Sequence, residues 1–229
     1  MTFEKPYIQI AGIRNQYEAD LIVSEGVKYI GFPLRLDFHE EDIDENEVAR
    51  IIHGLPSGIT SVLITYENNP CEIIQMIEHL KCDIIQFHGD IEVKSLKIIR
   101  RFKPTIGIVK SLIVENDNFY DLKQKMLEFD EYVDAYILDT YDPITKAKGA
   151  TGKTHDWEIS RNLVLATFKP VILAGGLDPT NVARAIREVN PFGVDVHSGV
   201  ENEEGGKDRK KLRMFIQRAK QTFGFNPDK

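Results

Sequence analysis

Two short apolar runs near the end of the chain, each followed by a turn rich in small residues, constrain the fold more than any other feature. The first run occupies residues 171–174 and leads into Gly175 and Gly176; the second occupies residues 193–196 and leads into the turn 197–201. Such a run is typical of a buried strand, and glycine lets a backbone approach a ligand closely. Two neighbouring parallel strands that end this way direct several backbone N–H groups at one anion, as at the phosphate site of a (β/α)8 barrel.

Buried runs alternate with amphipathic segments along the whole chain. The sequence predicts strands over residues 7–13, 29–33, 60–65, 84–88, 105–111, 135–139, 170–174 and 193–196. Apolar residues at three- and four-residue spacing predict helices over residues 16–24, 45–55, 70–80, 91–102, 118–129, 157–166, 181–189 and 208–223. The pair Asp178-Pro179 predicts an N-cap and a first-turn proline at a helix start. This alternation favours a single-domain (β/α)8 TIM barrel over residues 1–229, with a doubly wound open sheet as the alternative.

Composition and charge narrow the classes of function. A chain of 229 residues with 42% hydrophobic content can bury one large core. No apolar run approaches the roughly 18 residues of a membrane span, so we expect a cytoplasmic protein with no membrane partner. A net charge of −7 argues against nucleic acid as a partner, but a phosphate ligand needs only local donors. Cys71 and Cys82 are too few for a disulfide framework or a zinc site, so no metal is expected.

The barrel predicts where a site must lie, because active sites form at the carboxyl ends of the strands and in the loops that follow. The candidates selected by this rule are Ala11, Arg35, His39, His88, Lys110, Ser111, Asp139, Gly175, Gly176, Asp195, His197 and Ser198. A glycine cluster at residues 149–154 follows the sixth predicted strand. It predicts a lid over a ligand, with Lys153 adding positive charge.

Several segments resemble the signature segments of the phosphoribosylanthranilate isomerase family. They are Ala-Thr-Gly-Lys-Thr-His-Asp-Trp at residues 150–157, Leu-Ala-Gly-Gly-Leu at 173–177 and Gly-Val-Asp-Val-His-Ser-Gly-Val-Glu at 193–201. Residues 86–89, 138–140 and 206–208 match three further family segments. The resemblance covers nearly the whole chain and is strongest from Gln86 onward.

The resemblance implies an Amadori rearrangement of a phosphorylated sugar-amine, without a cofactor, by a monomer or homodimer. In the family reaction an acid protonates the ring oxygen, the sugar opens to an iminium, and a base removes the C2′ proton. Asp139 matches the acid and His88 matches a histidine at the barrel mouth. Asp139 needs a raised pKa to hold a proton near neutrality. The expected substrate and phosphate contacts are Arg35, Lys110, Gly152, Lys153, Gly175, Gly176, Asp195, His197, Ser198 and Gly199.

Two positions depart from the family pattern. The family base is a cysteine after the first strand, where this chain has Ala11, and a methyl group accepts no proton. The family usually places an arginine after the second strand to pair with the anthranilate carboxylate. This chain has acidic residues at 40–42, and Arg35 lies several positions early. These departures predict either a substrate that carries a different aglycone or a general base at another position of the chain.

The departures leave two alternatives open. His39 and His88 are candidates for the base because imidazole titrates near neutrality; His39, in the changed loop, is the first choice for a relocated base, and Cys71 at a helix start is a further one. A non-catalytic barrel that binds a phosphorylated metabolite is the second hypothesis, and Ala11 favours it. The presence of Asp139, Lys110 and His88 favours an enzyme, since a binder needs no acid.

Overall fold

Eight parallel strands close into a barrel in this computed structural model, which describes residues 3–36, 43–115, 117–140 and 157–224. The strands are β1 (Tyr7–Ala11), β2 (Tyr29–Leu34), β3 (Thr60–Thr65), β4 (Ile84–Phe87), β5 (Gly107–Val114), β6 (Ala135–Thr140), β7 (Val171–Leu173) and β8 (Gly193–Val196). The barrel closes because β8 pairs in parallel with β1, which leaves no sheet edge exposed. The predicted (β/α)8 TIM barrel is therefore confirmed, and the open sheet is wrong.

A helix follows each strand. The helices are α1 (Gln16–Ser24), α2 (Glu45–Gly54), α3 (Pro70–Leu80), α4 (Val93–Phe102), α5 (Phe119–Phe129), α6 (Trp157–Leu165), α7 (Val182–Val189) and α8 (Arg209–Thr222). A 3₁₀ helix, Ser198–Val200, lies between β8 and α8. None of the helices in the described ranges is long and apolar enough to cross a membrane.

The predicted helix start at Asp178-Pro179 is wrong. Asp178 Oδ1 accepts hydrogen bonds from the N–H groups of Thr180 (2.5 Å) and Asn181 (3.1 Å), and α7 begins only at Val182. The aspartate therefore caps a turn that leads directly into α7, and the helix itself begins later than the pair predicts.

Residues of each strand alternate between two apolar layers. Ile8 and Ile10 of β1 pack in the layer between the strands and the helices, whereas Tyr7 and Ala11 pack inside the barrel. Because side chains of a strand point alternately to its two faces, Gln9 also faces the interior. The same alternation decides which polar side chains can reach the barrel mouth.

Candidate active site

Polar side chains from three neighbouring strands meet at the carboxyl end of the barrel. Nδ1 of His88, just after β4, lies 3.1 Å from Oγ of Ser111 on β5. Nε2 of His88 lies 3.7 Å from Oδ2 of Asp139 on β6. Asp139 Oδ1 accepts a hydrogen bond of 2.7 Å from the backbone N–H of Thr140. His88 and Asp139 are both buried, so the imidazole and the carboxyl lie next to each other away from bulk water.

Asp195 on β8 is the second carboxyl of the barrel interior. It lies between Val194 and Val196, which pack in the outer layer, so its side chain faces inward. Among the described residues its Oδ1 atom has no hydrogen-bond partner. Burial, and then the charge of Asp139, raise the pKa of Asp195 to about 7, although a hydrogen bond with Gln9 opposes the rise. A carboxyl in this setting can both hold and accept a proton near neutral pH.

His197, after β8, covers the end of β1. Its ring lies so close to Gly12 that a Cβ atom there would be 1.9 Å from Nε2, and the φ of 75° at Gly12 also favours glycine. Nε2 lies 3.3 Å from Oε1 of Glu201, and the fully buried Nζ of Lys207 donates to the same oxygen at 2.7 Å. Burial opposes ionisation, but the hydrogen bond with His197 and the charge of Lys207 lower the pKa of Glu201 to about 2.

The turns after β7 and β8 are in direct contact. Gly175 and Gly176 have φ values of 83° and 59°, in the left-handed region that favours glycine. A Cβ atom on Gly199 would lie 1.9 Å from the carbonyl oxygen of Leu177, so the second turn packs against the backbone of the first. The structure thus brings together the predicted residues Gly175, Gly176, Ser198 and Gly199, and their backbone remains partly accessible.

The side chain of Lys110 lies against the loop after β4 and does not face the barrel interior. It follows the inward-facing Val109 on β5, so its side chain lies on the outer face of the strand. Its Nζ donates to the carbonyl oxygens of Gly89 (2.9 Å) and Ser111 (2.8 Å) and lies 3.4 Å from that of Phe87. This geometry fixes the loop after β4 and gives no support to the predicted substrate contact.

Arg35 is engaged by three carboxylates. Its guanidinium bonds to Glu45 (2.9 Å), Glu67 (3.2 Å) and Glu72 (3.0 Å), which link β2 to the regions of α2 and α3. These pairs give the side chain a structural role, and its predicted substrate contact has no support in the geometry.

The remaining predicted features lie outside the described residues or away from the barrel mouth. His39, Gly152 and Lys153, with the lid at residues 149–154, lie outside the described residues. Cys71 is exposed in the first turn of α3, on the outer ring of helices. Sequence reasoning did not assign roles to Glu201 and Lys207, although Lys207 belongs to a segment that resembles the family.

Comparison with known proteins decides the family. Residues 8–218 match the family model described as N-(5'phosphoribosyl)anthranilate (PRA) isomerase. The chain belongs to this family. A PRA isomerase of Methanosarcina mazei is 37% identical over 217 residues, which cover 94% of this chain and 95% of the relative. The Aquifex aeolicus PRA isomerase is 36% identical over 218 residues, covering 93% and 98% of the two chains.

Solved structures agree with this assignment. The PRA isomerase of Thermotoga maritima superposes with a TM-score of 0.80 at 30% identity, covering 94% of this chain and 99% of that one. A PRA isomerase in complex with reduced 1-(o-carboxyphenylamino)-1-deoxyribulose 5-phosphate has a TM-score of 0.77 at 28% identity, with the same coverage. The barrel and its chain order are therefore those of PRA isomerases.

Proposed function

We propose that this protein is a PRA isomerase that converts N-(5′-phosphoribosyl)anthranilate to the ketose by an Amadori rearrangement in tryptophan biosynthesis. The observation that carries the proposal is the placement of Asp139. Its carboxyl lies at the carboxyl end of β6, accepts a hydrogen bond from the Thr140 N–H, lies beside His88 and faces the barrel mouth. A solved relative binds a phosphorylated sugar-amine with a carboxyphenyl group, which supports the same substrate class here.

The phosphate of the substrate is proposed to bind at the contact between the last two turns. The left-handed backbone at Gly175 and Gly176 and the 3₁₀ helix Ser198–Val200 lie side by side there. Backbone N–H groups in such turns bind dianions without a buried cation. Anchoring the phosphate at one end of the sugar places the other end over the barrel interior, where Asp139 can protonate the ring oxygen.

Proton transfer from Asp139 is proposed to open the sugar ring. Nε2 of His88 lies 3.7 Å from Oδ2 of Asp139. We propose that His88 orients the acid and makes no contact with the leaving oxygen. Loss of a general acid typically lowers the rate about 10² to 10⁴-fold. Asp139→Asn should therefore lower kcat by that factor while the KM, which depends on the phosphate contacts, changes little.

Turnover of PRA by the purified protein tests the proposal, with complementation of a tryptophan auxotroph as the test in cells. Turnover that is lost in Asp139→Asn supports it. Phosphate binding without turnover by the wild type would overturn it in favour of a non-catalytic binder, the alternative that Ala11 favours.

The phosphate site has its own matched pair of variants. Gly176→Val forces a side chain into a left-handed backbone at the site, and Gly58→Val does so at φ 89° before β3, with open space around it. We expect weaker binding of inorganic phosphate only in Gly176→Val. Equal binding by both variants would remove the turn from the site. A cytoplasmic location and a monomeric or dimeric state complete the proposal; a Thermotoga maritima relative is described as dimeric.

A further inference from the structure

The proposed isomerisation needs two proton-transfer groups, and position 11 supplies none. Ala11 is buried at the carboxyl end of β1 and carries only a methyl group. Asp139 accounts for one transfer. If the phosphate binds at the turns after β7 and β8 and the ring oxygen faces Asp139, C2′ lies over the barrel interior, so the second group must be a proton acceptor that faces this interior. This inference rests on the proposed function.

Asp195 meets these requirements. β8 pairs directly with β1, and Asp195 is the register partner of Gln9, which precedes Ala11 by one inward position. The Oδ1 atom of Asp195 is buried and has no hydrogen-bond partner among the described residues. An unpartnered buried carboxyl oxygen is costly to keep, which indicates that it meets a group supplied by a ligand.

Two charged groups from different elements act on Asp195, one of each sign. Tyr7 and Gln9 face it from β1, Asp139 faces it from β6, and Lys207 acts on it from the segment before α8. The inward residues of the intervening β7 are apolar, Ile172 among them. Among the described residues, the Asp139 carboxylate disfavours ionisation of Asp195, and the Gln9 hydrogen bond and the charge of the buried Lys207 favour it.

We propose that the Asp195 carboxylate is the general base that accepts the C2′ proton, in the place that a thiolate takes in the family, while Asp139 remains the acid. Asp139 gives its proton to the ring oxygen as the C1′–O bond breaks and the nitrogen lone pair forms the iminium. Asp195 then takes the C2′ proton, and the electrons of that C–H bond form the C1′–C2′ double bond as the iminium electrons return to nitrogen. The proton on Asp195 passes to C1′, and the 2′-hydroxyl proton passes to Asp139. The ketose forms and both carboxyls end as they began.

The protonation behaviour of Asp195 fits this task. Burial, and the charge that Asp139 carries once it has given up its proton, raise the pKa of Asp195 to about 7, so Asp195 is then a stronger base than an ordinary carboxylate. His197 fits less well, because its Nε2 already faces Glu201 and its partly exposed ring covers Gly12 rather than the barrel interior. Cys71 is exposed on the outer ring of helices, away from the barrel interior.

Replacement of the missing thiol tests the role of Asp195. We expect Asp195→Asn to lower kcat about 10² to 10⁴-fold with little change in KM. The double variant Ala11→Cys/Asp195→Asn should recover at least about tenfold of the lost kcat, because a thiolate returns at position 11. The matched control Ala11→Cys/Asp139→Asn should recover nothing over Asp139→Asn, since the thiol replaces a base and not the acid.

The pH profile gives a second readout. The wild-type kcat/KM should rise with pH through about 7 as Asp195 ionises, and this limb should move towards the thiol range, roughly 8.5, in the rescued double variant. Wild-type kcat retained in Asp195→Asn would overturn the inference and leave the proposed function standing. A raised KM without recovery by Ala11→Cys would also overturn it, and assign Asp195 to binding. Absence of wild-type turnover would overturn the proposed function and this inference together.

Discussion

Asp195→Asn should stabilise the protein at neutral and alkaline pH while it removes activity. The native state holds the Asp195 proton with a pKa of about 7, against an ordinary value of 3.8. The folded chain therefore binds more protons than the unfolded chain between these values, and the free energy of unfolding falls as the pH rises through this window. At about 1.36 kcal/mol per pKa unit, ionisation of this buried carboxyl costs about 4 kcal/mol above pH 7.

The asparagine variant cannot ionise, so it escapes this cost. Between pH 5 and pH 8 the wild type should lose about 3 kcal/mol relative to Asp195→Asn, because part of the cost is already present at pH 5. For a chain of this size, the variant should melt on the order of 10 °C higher at pH 8. Urea unfolding of both proteins at the two pH values measures the difference, and the shared titrations of other groups cancel.

Asp134→Asn is the matched control. The Asp134 carboxylate accepts hydrogen bonds from Arg100 (2.5 Å) and from the Ile108 N–H (2.8 Å), so its loss should destabilise the protein by about 1–3 kcal/mol at both pH values. A stability difference between wild type and Asp195→Asn that does not change with pH would refute the reasoning. An Asp195→Asn variant that is less stable than the wild type at both pH values, by the same amount at pH 8 as at pH 5, would also refute the reasoning.

Three further predictions concern the turns and their supports. Gly199→Ala should weaken inorganic phosphate binding at least about tenfold and destabilise the fold by about 1–3 kcal/mol, because its Cβ would lie 1.9 Å from the Leu177 carbonyl oxygen. Phosphate titration and urea unfolding measure the two effects. Phosphate affinity equal to that of the wild type would contradict the predicted contact. Glu201→Gln should lower the free energy of unfolding by about 3–5 kcal/mol near neutrality, because the buried Lys207 ammonium loses its paired carboxylate. Since the wild-type pKa of Glu201 lies near 2 rather than 4.5, this deficit should shrink as the pH falls below about 4.5, and urea unfolding across pH would contradict the pairing if the deficit stayed constant. Lys110→Met should destabilise the loop after β4 and leave phosphate affinity unchanged, because the Lys110 ammonium bonds to backbone carbonyl oxygens. A tenfold loss of phosphate affinity at unchanged stability would instead support the predicted role of Lys110 in binding.

Helix boundaries followed from the sequence where a capping residue acts locally. Asn69 accepts a hydrogen bond from the Cys71 N–H, and Pro70 occupies the first helical position, so α3 begins where the pattern predicts. Asp178 carries the same kind of signal, but its carboxylate caps a single turn whose last hydrogen bond comes from the N–H of Val182, where α7 begins. A capping side chain alone does not distinguish a turn from a helix start, because both use the same backbone N–H groups.

The roles of individual site residues depended on which face of a strand they occupy. The motif alone placed Asp139 correctly at a strand end, since one buried run ends there. The sequence predicts Lys110 at the mouth because the predicted strand ends at residue 111, but β5 continues to Val114, and the side chain points to the outer face and binds carbonyl oxygens. The state of Asp195 depends on the closure of β8 onto β1 and on the nearby Asp139 charge, which no local pattern contains.

A crystal structure with reduced 1-(o-carboxyphenylamino)-1-deoxyribulose 5-phosphate, the compound bound by a solved relative, tests the central claim most directly. We predict that the phosphate binds between Gly176 and Gly199, and that C2′ lies within about 3.5 Å of Asp195 Oδ1, at the distance that proton transfer requires. Phosphate density away from both turns, or a sugar whose C2′ lies far from Asp195 and whose ring oxygen lies far from Asp139, would contradict the account.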